Sequence, residues 1–301
     1  MAKAHALQDA AGPHLVRAQD TILTGLIGAA IGKSRSPVLH QSEAAAHGKV
    51  GLYRLIDLDV LGLGPEALPD LLSSAERFGF AGLNITYPCK QAVMAHLTEL
   101  SPHAEALGAV NTVVLRDGKR IGHNTDWSGY AASLRADLPG ADLSHVVLFG
   151  TGGAGAAVAY ALLMCGVGRL SLVDTDAARA SALAAQLGPR FPKAGIDVAA
   201  DPGEAVRAAS GLVNATPVGM DKFPGTPFPA DWIQPRHWVS DIVYFPLVTA
   251  LLAAARKKGC RTLDGSGMNV HQAAEGFRLM TGLNPSPERL RAVFDAAGGP
   301  P

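Results

Sequence analysis

Short apolar runs alternate with longer amphipathic stretches from residue 21 onward. The apolar runs predict strands, and the amphipathic stretches predict helices. The strands predicted in the first half are Leu23–Ala30, Tyr53–Leu58, Phe80–Ile85, Val110–Leu115 and Lys119–His123. The helical segments predicted among them are Pro37–His47, Pro65–Arg77, Gln91–Leu97 and Pro102–Ala106. Asp117-Gly118, which separates the last two strands, is a strong hairpin signal.

A second series of apolar runs and amphipathic stretches begins after Asp126. The strands predicted in this half are Val146–Phe149, Leu170–Val173, Gly211–Ala215, Trp238–Val243 and Arg261–Leu263. The helices predicted here end at Met164 or span Ala177–Leu187, Val248–Lys258 and Met268–Thr281. Strands and helices that alternate at this spacing predict βαβ units and a parallel sheet. The sequence therefore predicts two α/β domains that meet near Asp126, preceded by a loosely held tail over residues 1–20.

Composition excludes several classes of protein. Hydrophobic residues make up 48% of the 301 residues and charged residues only 17%, so wholesale disorder is excluded. The 26 basic residues balance the 26 acidic ones, and no global positive field attracts nucleic acid or an anionic membrane surface. The most apolar long stretch, residues 150–168, carries no charge. Its glycines and the strand before it favour a buried helix over a membrane span.

Cysteine and histidine usage argues against disulfide and metal sites. Cys89, Cys165 and Cys260 lie far apart and form no C-x-x-C pair, a pattern that suits a reducing compartment. The first 20 residues contain no apolar core of a secretory signal, so we expect a cytoplasmic protein. The histidines lack ligand spacing such as H-E-x-x-H, and we expect no bound metal.

Residues 150–155 carry the strongest local signal for a ligand. They match the G-x-G-x-x-G pattern between a predicted strand and a predicted helix, which is the context that a dinucleotide-binding loop requires. Glycine lets the backbone approach a pyrophosphate, and a helix N-terminus favours its negative charge. The cofactor contacts predicted in this loop are Gly150, Thr151, Gly152, Gly153 and Ala154.

The second strand of this half ends at Asp174, where a carboxylate can distinguish NAD from NADP. It accepts hydrogen bonds from the adenosine ribose diol and repels a 2′-phosphate. Arg179 complicates the choice, because a nearby arginine accommodates a 2′-phosphate, although it can also stack on adenine or lie solvated on its helix. We expect Asp174 to dominate and NAD to be the cofactor, since an unpaired carboxylate beside a phosphate is costly in a partly dry site.

The first half carries short polar groups at predicted strand ends and helix entries. They are Ser34-Arg35-Ser36-Pro37, Asn84-Ile85-Thr86, Tyr87-Pro88-Cys89-Lys90, Asn111-Thr112 and Asn124-Thr125-Asp126. Each group alone is typical of caps and turns. Together they suit a polyhydroxylated ligand. Lys90 and Asp126 add what an alcohol–ketone redox step needs, because a lysine beside a carboxylate can take up or return the hydroxyl proton as hydride moves.

In this order the motifs resemble those of the shikimate dehydrogenase family. The first half matches at Gly28, Ile31, Ser34, Ser36, Pro37, Asn84, Thr86, Pro88, Lys90, Gly108–Thr112 and Asn124–Asp126. The second half matches at Gly150–Ala154, Asn214–Pro217, Asp241–Tyr244, Asp264–Met268 and Gln272–Ala274. The resemblance covers nearly everything except the two tails. Residues 174–179 resemble the NAD-using quinate/shikimate dehydrogenase branch, because NADP-using relatives usually place an Asn-Arg-Thr-type basic turn there.

The resemblance implies a domain plan and a site. It implies a substrate domain over residues 21–125, a Rossmann NAD-binding domain over residues 126–267, and a helical segment, residues 268–301, that returns to the first domain. The active site then lies in the cleft, with Lys90 and Asp126 as its catalytic pair. The implied substrate contacts are Ser34, Ser36, Asn84, Thr86, Asn111, Tyr244 and Gln272. The further implied cofactor contacts are Asp174, Arg179, Thr216, Val243 and Gly265.

Two positions depart from the family pattern. Cys89 stands where an aromatic residue is usual, next to Lys90, which puts the local packing in doubt. Thr151 replaces the usual alanine of the glycine loop. We expect this change to be tolerated because the loop acts through its backbone.

The expected reaction is the reversible NAD-linked oxidation of the C3 hydroxyl of shikimate to a ketone, with quinate as a second candidate substrate. Ser34 and Ser36 are expected to hold the substrate carboxylate, and a monomer or homodimer is the expected assembly. Three alternatives remain: NADP as the cofactor, a methylenetetrahydrofolate-type dehydrogenase, and a non-catalytic NAD-responsive protein on the same fold. The serine pair argues against the second alternative, and the intact Lys90 and Asp126 argue against the third. The lack of a basic helix argues against DNA binding.

Overall fold

The computed structural model describes residues 20–297 and contains two six-stranded sheets. The predicted tail, apart from Asp20, lies outside the described residues, as do residues 298–301. The two sheets, each accompanied by helices, confirm the predicted α/β class. The first sheet ends at His123 and the second begins at His145, so the predicted boundary at Asp126 falls between them.

The first sheet is mixed. Its strands are β1 Thr21–Gly28, β2 Val50–Asp57, β3 Gly82–Ile85, β4 Glu99–Leu100, β5 Thr112–Arg116 and β6 Lys119–His123, in the order β2-β1-β3-β5-β6-β4. Strands β2, β1 and β3 are parallel, whereas β5 and β6 form an antiparallel hairpin through Asp117-Gly118. Both turn residues have positive φ, as such a hairpin requires. The accompanying helices are α1 Ser36–Ala46, α2 Leu58–Leu61, α3 Leu68–Arg77, α4 Cys89–Ala92 and α5 Pro102–Leu107.

The second sheet is entirely parallel, as predicted. Its strands are β7 His145–Phe149, β8 Arg169–Val173, β9 Gly195–Val198, β10 Gly211–Asn214, β11 Trp238–Asp241 and β12 Arg261–Leu263, in the order β12-β11-β10-β7-β8-β9. Its connecting helices are α7 Gly153–Met164, α8 Ala177–Leu187, α9 Pro202–Ala208 and α10 Ala250–Lys257. The strand order reverses between β10 and β7, and open α/β sheets bind ligands at the carboxyl ends of the strands at such a point.

Helix α6, Asp126–Asp137, links the two sheets and packs against α11, Gly265–Thr281. Glycine at position 129 allows this approach, because a Cβ there would lie 2.7 Å from the carbonyl oxygen of Met268. The sequence did not predict α6, since its buried face mixes glycine, alanine and serine with only a few large apolar residues. Helix α11 begins at Gly265, three residues before its predicted start at Met268.

The end of the chain packs against α1. Helix α12, Pro287–Ala296, lies within the helical segment 268–301 that the resemblance implies, although it was not predicted as a separate helix. The residues that α1, α11 and α12 bury together are Leu39, Val270, Ala273, Ala274, Leu290 and Phe294. The guanidinium of Arg35 lies 4.4 Å from the centre of the Phe294 ring. Helices α11 and α12 therefore pack the C-terminal part of the described chain against its first half. Within residues 20–297, no helix is long and apolar enough to cross a membrane.

Candidate active site

Lys90 and Asp126 form an ion pair between the two halves of the chain. Lys90 lies on α4, Asp126 begins α6, and the Lys90 Nζ to Asp126 Oδ2 distance is 2.6 Å. Their side chains are 24% and 12% exposed, so both remain within reach of a ligand. The other carboxylate oxygen of Asp126 accepts a hydrogen bond from Asn111 Nδ2 at 2.8 Å, and its backbone N–H donates to Asn124 Oδ1 at 3.1 Å. These contacts fix the orientation of the carboxylate toward Lys90.

A chain of hydrogen bonds continues from Asn111 into the first sheet. The Thr112 hydroxyl donates to Asn111 Oδ1 at 3.1 Å and accepts from Asn84 Nδ2 at 3.1 Å. Asn111 Oδ1 also accepts from the Thr125 backbone N–H at 2.7 Å. Asn84, Asn111, Thr112 and Thr125 are all buried, so these mutual bonds satisfy polar groups that water cannot reach.

The two predicted serines lie at the other end of this chain. Ser34 Oγ is 3.2 Å from Ser36 Oγ and accepts the Ser36 backbone N–H at 3.2 Å. Tyr53 lies between them and the rest: its hydroxyl donates to Asn84 Oδ1 at 2.8 Å. The Ser36 side chain is close enough to Tyr53 to oppose, in part, the effect of burial on the Tyr53 pKa. Burial raises the pKa of Tyr53 well above its usual value.

Tyr53 was not predicted from the sequence to belong to the site. It begins a predicted strand, where its pattern is that of an inward-facing apolar residue, and no polar motif surrounds it. Its role follows from the parallel pairing of β2, β1 and β3, which places Tyr53 and Asn84 on neighbours of the same strand, β1.

Three predicted substrate residues make no side-chain hydrogen bond within residues 20–297. Thr86 is half-buried just after β3, with its methyl group against Gly28, where any larger residue would collide with it. Gln272 lies on α11 where α6 crosses, and its Cβ would be 2.9 Å from a Cβ at position 129. Tyr244 is 39% exposed beyond β11 and is not joined to the network. These three side chains are therefore free to meet a ligand.

Cys89 fills the core of the first domain. It is fully buried in an apolar cluster with Ile85 and Val93. Burial, together with the negative charge of Glu66, raises the pKa of the thiol. A small apolar side chain thus fits here, and the departure from the family's aromatic residue is accommodated next to Lys90.

The glycine loop has the shape that a dinucleotide needs. Gly150 has φ +92, and a Cβ there would lie 2.8 Å from the Ala215 backbone, so the loop presses closely against the end of β10. A Cβ at Gly155 would collide with the Gly150 carbonyl. A Cβ at Gly152 or Gly153, by contrast, would meet nothing within 4 Å. The outer side of the loop is therefore bare backbone at the start of α7, where no side chain caps the helix.

Asp174 is anchored to this loop. Its Oδ2 accepts hydrogen bonds from both the backbone N–H and the hydroxyl of Thr151, each at 2.7 Å, and its Oδ1 accepts from the Asp176 N–H at 2.9 Å. Burial opposes ionisation, but these hydrogen bonds and the Arg179 guanidinium 3.4 Å away hold the pKa of Asp174 below its usual value. Thr151 therefore acts through its side chain as well as its backbone, a contact that the sequence did not predict.

A second buried carboxylate, Asp241, organises the ends of β10 and β11. It is fully buried and accepts hydrogen bonds from Thr249 Oγ1 at 2.7 Å, Asn214 Nδ2 at 3.0 Å and the Val243 N–H at 3.1 Å. Burial raises its pKa to about 6. Asn214 Oδ1 in turn accepts from the Thr216 hydroxyl at 2.7 Å. The motif containing Asp241 was noted in the sequence, but its structural role was not predicted.

These contacts place Thr216 and Val243 at the same sheet edge as the glycine loop. Gly265 joins them there, since a Cβ at that position would lie 2.7 Å from the Val243 carbonyl oxygen. The bare loop, the ionised Asp174 and this edge fit a dinucleotide laid across the carboxyl ends of β8, β7, β10 and β11. Within residues 20–297 no group of three or more His, Cys, Asp or Glu side chains could hold a metal ion.

Comparison with known proteins decides the family. A model of the shikimate dehydrogenase substrate-binding domain matches residues 26–113. A shikimate dehydrogenase (NADP⁺) of Streptomyces avermitilis is 53% identical over 284 residues, which cover 93% of this chain and 97% of the relative. The chain belongs to the shikimate dehydrogenase family. This shikimate dehydrogenase family member is accordingly an oxidoreductase that uses a nicotinamide dinucleotide.

Other relatives are named for NAD⁺ instead of NADP⁺. A quinate/shikimate dehydrogenase (NAD⁺) of Corynebacterium efficiens is 50% identical over 279 residues, 91% of this chain and 98% of the relative. The solved structure of quinate dehydrogenase from Corynebacterium glutamicum in complex with NAD matches with a TM-score of 0.88 at 46% identity, over 92% of this chain and 99% of that one. A ThiF family model also matches residues 139–200, which contain the glycine loop and Asp174.

Proposed function

We propose that this family member catalyses the reversible NAD-linked oxidation of shikimate to 3-dehydroshikimate, and accepts quinate more weakly. The observation that carries the proposal is the Lys90–Asp126 pair, which joins a prebuilt polar pocket to a domain with a bare dinucleotide loop. In this proposal residues 21–125, with the helices that follow Gly267, form the substrate domain, and residues 126–267 form the NAD-binding domain.

In this proposal, one end of the pocket binds the carboxylate of a hydroxylated ring acid and the other end binds its ring hydroxyls. Ser34 and Ser36 donate hydrogen bonds to the carboxylate. Thr86, Asn111 and Gln272 contact ring hydroxyls. Because the pocket's amides and hydroxyls are already held by one another, little side-chain freedom is lost when the ring binds.

The proton step belongs to Lys90 and Asp126. A bound nicotinamide dinucleotide would supply the acceptor for the hydride that leaves C3 of the substrate. The C3 hydroxyl gives its proton to the Lys90–Asp126 pair as the C–O bond becomes a carbonyl, and the pair returns that proton in the reverse reaction. Asn111 holds the Asp126 carboxyl group in place throughout, and the Asn124 side chain holds the Asp126 backbone N–H.

The choice of NAD rests on Asp174. Its carboxylate stays ionised and nearly buried, with a side chain that is 8% exposed, at the position expected to face the adenosine ribose. A 2′-phosphate there meets like charge in a site that water screens poorly. The NAD⁺ name of the Corynebacterium efficiens relative and the NAD complex of the Corynebacterium glutamicum enzyme support the same choice.

NADP-linked oxidation is the second candidate. The Arg179 side chain is half-exposed and lies 3.4 Å from Asp174, within reach of a 2′-phosphate if it turns outward. The Streptomyces avermitilis relative carries an NADP⁺ name. Arg179 is nevertheless also within 3.6 Å of Asp176, so two carboxylates compete with a phosphate for its charge.

The substrate range follows from the small size of the serines. Quinate carries an extra hydroxyl at C1, beside the carboxylate that Ser34 and Ser36 are proposed to bind. Two serines leave space for that hydroxyl but offer it no dedicated partner, so shikimate is the better substrate.

The direct experiment is an initial-rate screen in which purified protein is offered shikimate or quinate with NAD or NADP, and reduced nicotinamide is followed by absorbance. The proposal predicts the highest kcat/KM for shikimate with NAD and a smaller value for quinate with NAD. Absence of turnover in all four combinations would sink the proposed function.

A further inference from the structure

Helix α11 passes from the cofactor side of the cleft to the substrate side. It begins at Gly265, which packs against the Ile242 and Val243 carbonyls at the edge of the second sheet. Three turns later, at Gly276, a Cβ would lie 3.4 Å from Asn84 Nδ2 in the substrate pocket. The face that carries these two glycines therefore borders the cleft along its length.

Asn269 lies on that same face. The spacing from Gly265 to Asn269, Gln272 and Gly276 is four, three and four residues, which keeps all four positions on one side of a helix with 3.6 residues per turn. The neighbouring faces are occupied: Val270 and Ala273 pack with α1 and α12. Asn269 thus lies between Gly265 and Gln272 on the side of α11 that borders the cleft, one turn from each.

The side-chain oxygen of Asn269 is buried but unpaired. Among residues 20–297 nothing donates a hydrogen bond to Asn269 Oδ1, although water has almost no access to it. A buried acceptor without a partner is costly, and native proteins rarely leave one unless a ligand or ion supplies the donor. This side of α11 therefore carries a buried acceptor that no donor within the described residues satisfies.

The order of the strands indicates which ligand end reaches Asn269. With Asp174 at the end of β8 facing the adenosine ribose and the glycine loop after β7 facing the pyrophosphate, the nicotinamide end must extend toward β10, β11 and Gly265. The nicotinamide ring carries one group with N–H donors, its carboxamide. Resting on the proposed function, we infer that Asn269 is a cofactor-binding residue whose Oδ1 accepts a hydrogen bond from the nicotinamide carboxamide.

The test compares NAD with its 3-acetylpyridine analogue, in which a methyl group replaces the carboxamide NH₂. Dissociation constants of each dinucleotide are measured by titration calorimetry, without substrate and so without turnover. Wild-type protein is expected to bind NAD about 10-fold more tightly than the analogue, the factor that one buried hydrogen bond supplies. Asn269→Leu is expected to weaken NAD about 10-fold and leave the analogue within about 2-fold.

Two further variants keep the result interpretable. Asn284→Leu makes the same chemical change at an exposed asparagine beyond α11, and it should alter neither dissociation constant. Asn269→Asp keeps an acceptor oxygen and should retain the preference for NAD over the analogue, which also covers the case in which the leucine variant fails to fold.

Equal losses for the two dinucleotides in Asn269→Leu, or undiminished NAD binding, would overturn the inference. So would a rise confined to the KM for shikimate, because the donor would then be a substrate hydroxyl. Calorimetry reads dinucleotide binding alone, so a protein that fails to oxidise shikimate would refute the proposed function while leaving this result readable.

Discussion

The substrate side and the cofactor side of the cleft satisfy their polar groups in different ways. On the substrate side, side chains bond to side chains. The continuous series is Tyr53, Asn84, Thr112, Asn111, Asp126 and Lys90, and Ser34 and Ser36 form a bonded pair beside Tyr53. Because each partner fixes the next, the pocket is held in position before a ligand arrives.

The cofactor side instead presents backbone. Gly152 and Gly153 leave the loop bare, and a single carboxylate, Asp174, supplies the charge at the proposed ribose position. That carboxylate is itself held by the loop, through the Thr151 N–H and hydroxyl. Few side chains therefore line the proposed dinucleotide site, and our proposal assigns the discrimination between NAD and NADP to one residue, Asp174.

The difference predicts how each side responds to mutation. A change in the substrate network disturbs several linked groups, so it should lower binding or turnover without redirecting the enzyme. A change at Asp174 removes one charge far from the reacting atoms, so it should alter which dinucleotide is used and leave the chemistry intact. Four variants test this contrast.

Lys90→Ala carries the largest expected effect. Loss of an acid/base group should lower kcat by roughly 10²–10⁴-fold, while substrate binding changes much less. Steady-state kinetics measures both. Lys119→Ala is the matched control, because Lys119 forms a 2.6 Å ion pair with Glu99 that is exposed and outside the cleft. If Lys90→Ala keeps more than about a tenth of the wild-type kcat, Lys90 takes no part in the proton transfer.

Asp174→Ala should abolish the cofactor preference. It weakens NAD, relieves the repulsion of a 2′-phosphate and leaves Arg179 available to that phosphate, so a preference of about 100-fold should fall toward parity. The KM for shikimate at saturating cofactor should hardly change. Asp197→Ala provides the control, since Asp197 is an acid of the neighbouring strand β9 that pairs with Arg169. An unaltered preference in Asp174→Ala would place the discrimination elsewhere.

Tyr53→Phe should raise the KM for shikimate about 10-fold with a smaller change in kcat, because it removes the hydroxyl that donates to Asn84 Oδ1 and leaves that buried amide oxygen without its donor. Tyr160→Phe is the comparison, as its hydroxyl bonds to His103 at 2.9 Å outside this network. Kinetics indistinguishable from wild type in Tyr53→Phe would mean that the network is not continuous in function.

Glu43→Gln tests the contact between α1, next to the substrate pocket, and the C-terminal helix α12, and its expected effect is the smallest. Glu43 is fully buried and accepts from Arg289 at 2.7 and 3.0 Å and from the Ser286 N–H at 3.0 Å. We expect a loss of about 1–3 kcal/mol, seen as a Tm lowered by several degrees. Glu275→Gln, which breaks the more exposed Arg278 pair, should cost much less.

The pH dependence of the Glu43 effect has a definite sign. Burial opposes ionisation, but the Arg289 and Ser286 contacts hold the pKa of Glu43 below its usual 4.5. The folded state thus prefers the ionised form, so the stabilisation is complete above pH 4.5 and disappears as the pH falls through the lowered folded-state pKa. The difference in Tm between wild type and Glu43→Gln should therefore shrink below pH 4.5. A difference that grows in acid would contradict this.

Much of this arrangement could be predicted from the sequence because its signals are local. Apolar runs and glycines mark β7, the loop and α7, since strand, bare backbone and helix start follow one another directly. Lys90 and Asp126 stood out because short polar motifs interrupt the apolar pattern at strand ends.

What could not be predicted depends on tertiary pairing. Tyr53 contacts Asn84 only because β2 and β3 lie on either side of β1, where Tyr53 pairs with Thr24 and Asn84 pairs with Leu26. The hydroxyl of Thr151 finds Asp174 only once β7 and β8 are paired. The apolar periodicity of helix α6 is too weak for the helix to be predicted from the sequence. The helix is stabilised by packing against α11, which approaches closely because residue 129 is glycine. Each is a contact between segments, which residue patterns within a segment do not encode.

The wild-type ratio of kcat/KM for NAD to that for NADP, measured with shikimate as substrate, tests the central claim most directly. The claim is that an enzyme of this family, with a prebuilt substrate pocket, is committed to NAD by the single anchored carboxylate of Asp174. It predicts a ratio of at least ~100, equivalent to about 2.7 kcal/mol. Equal efficiency with NADP would contradict it, because Arg179 would then outweigh Asp174 and the ribose assignment would have to be abandoned.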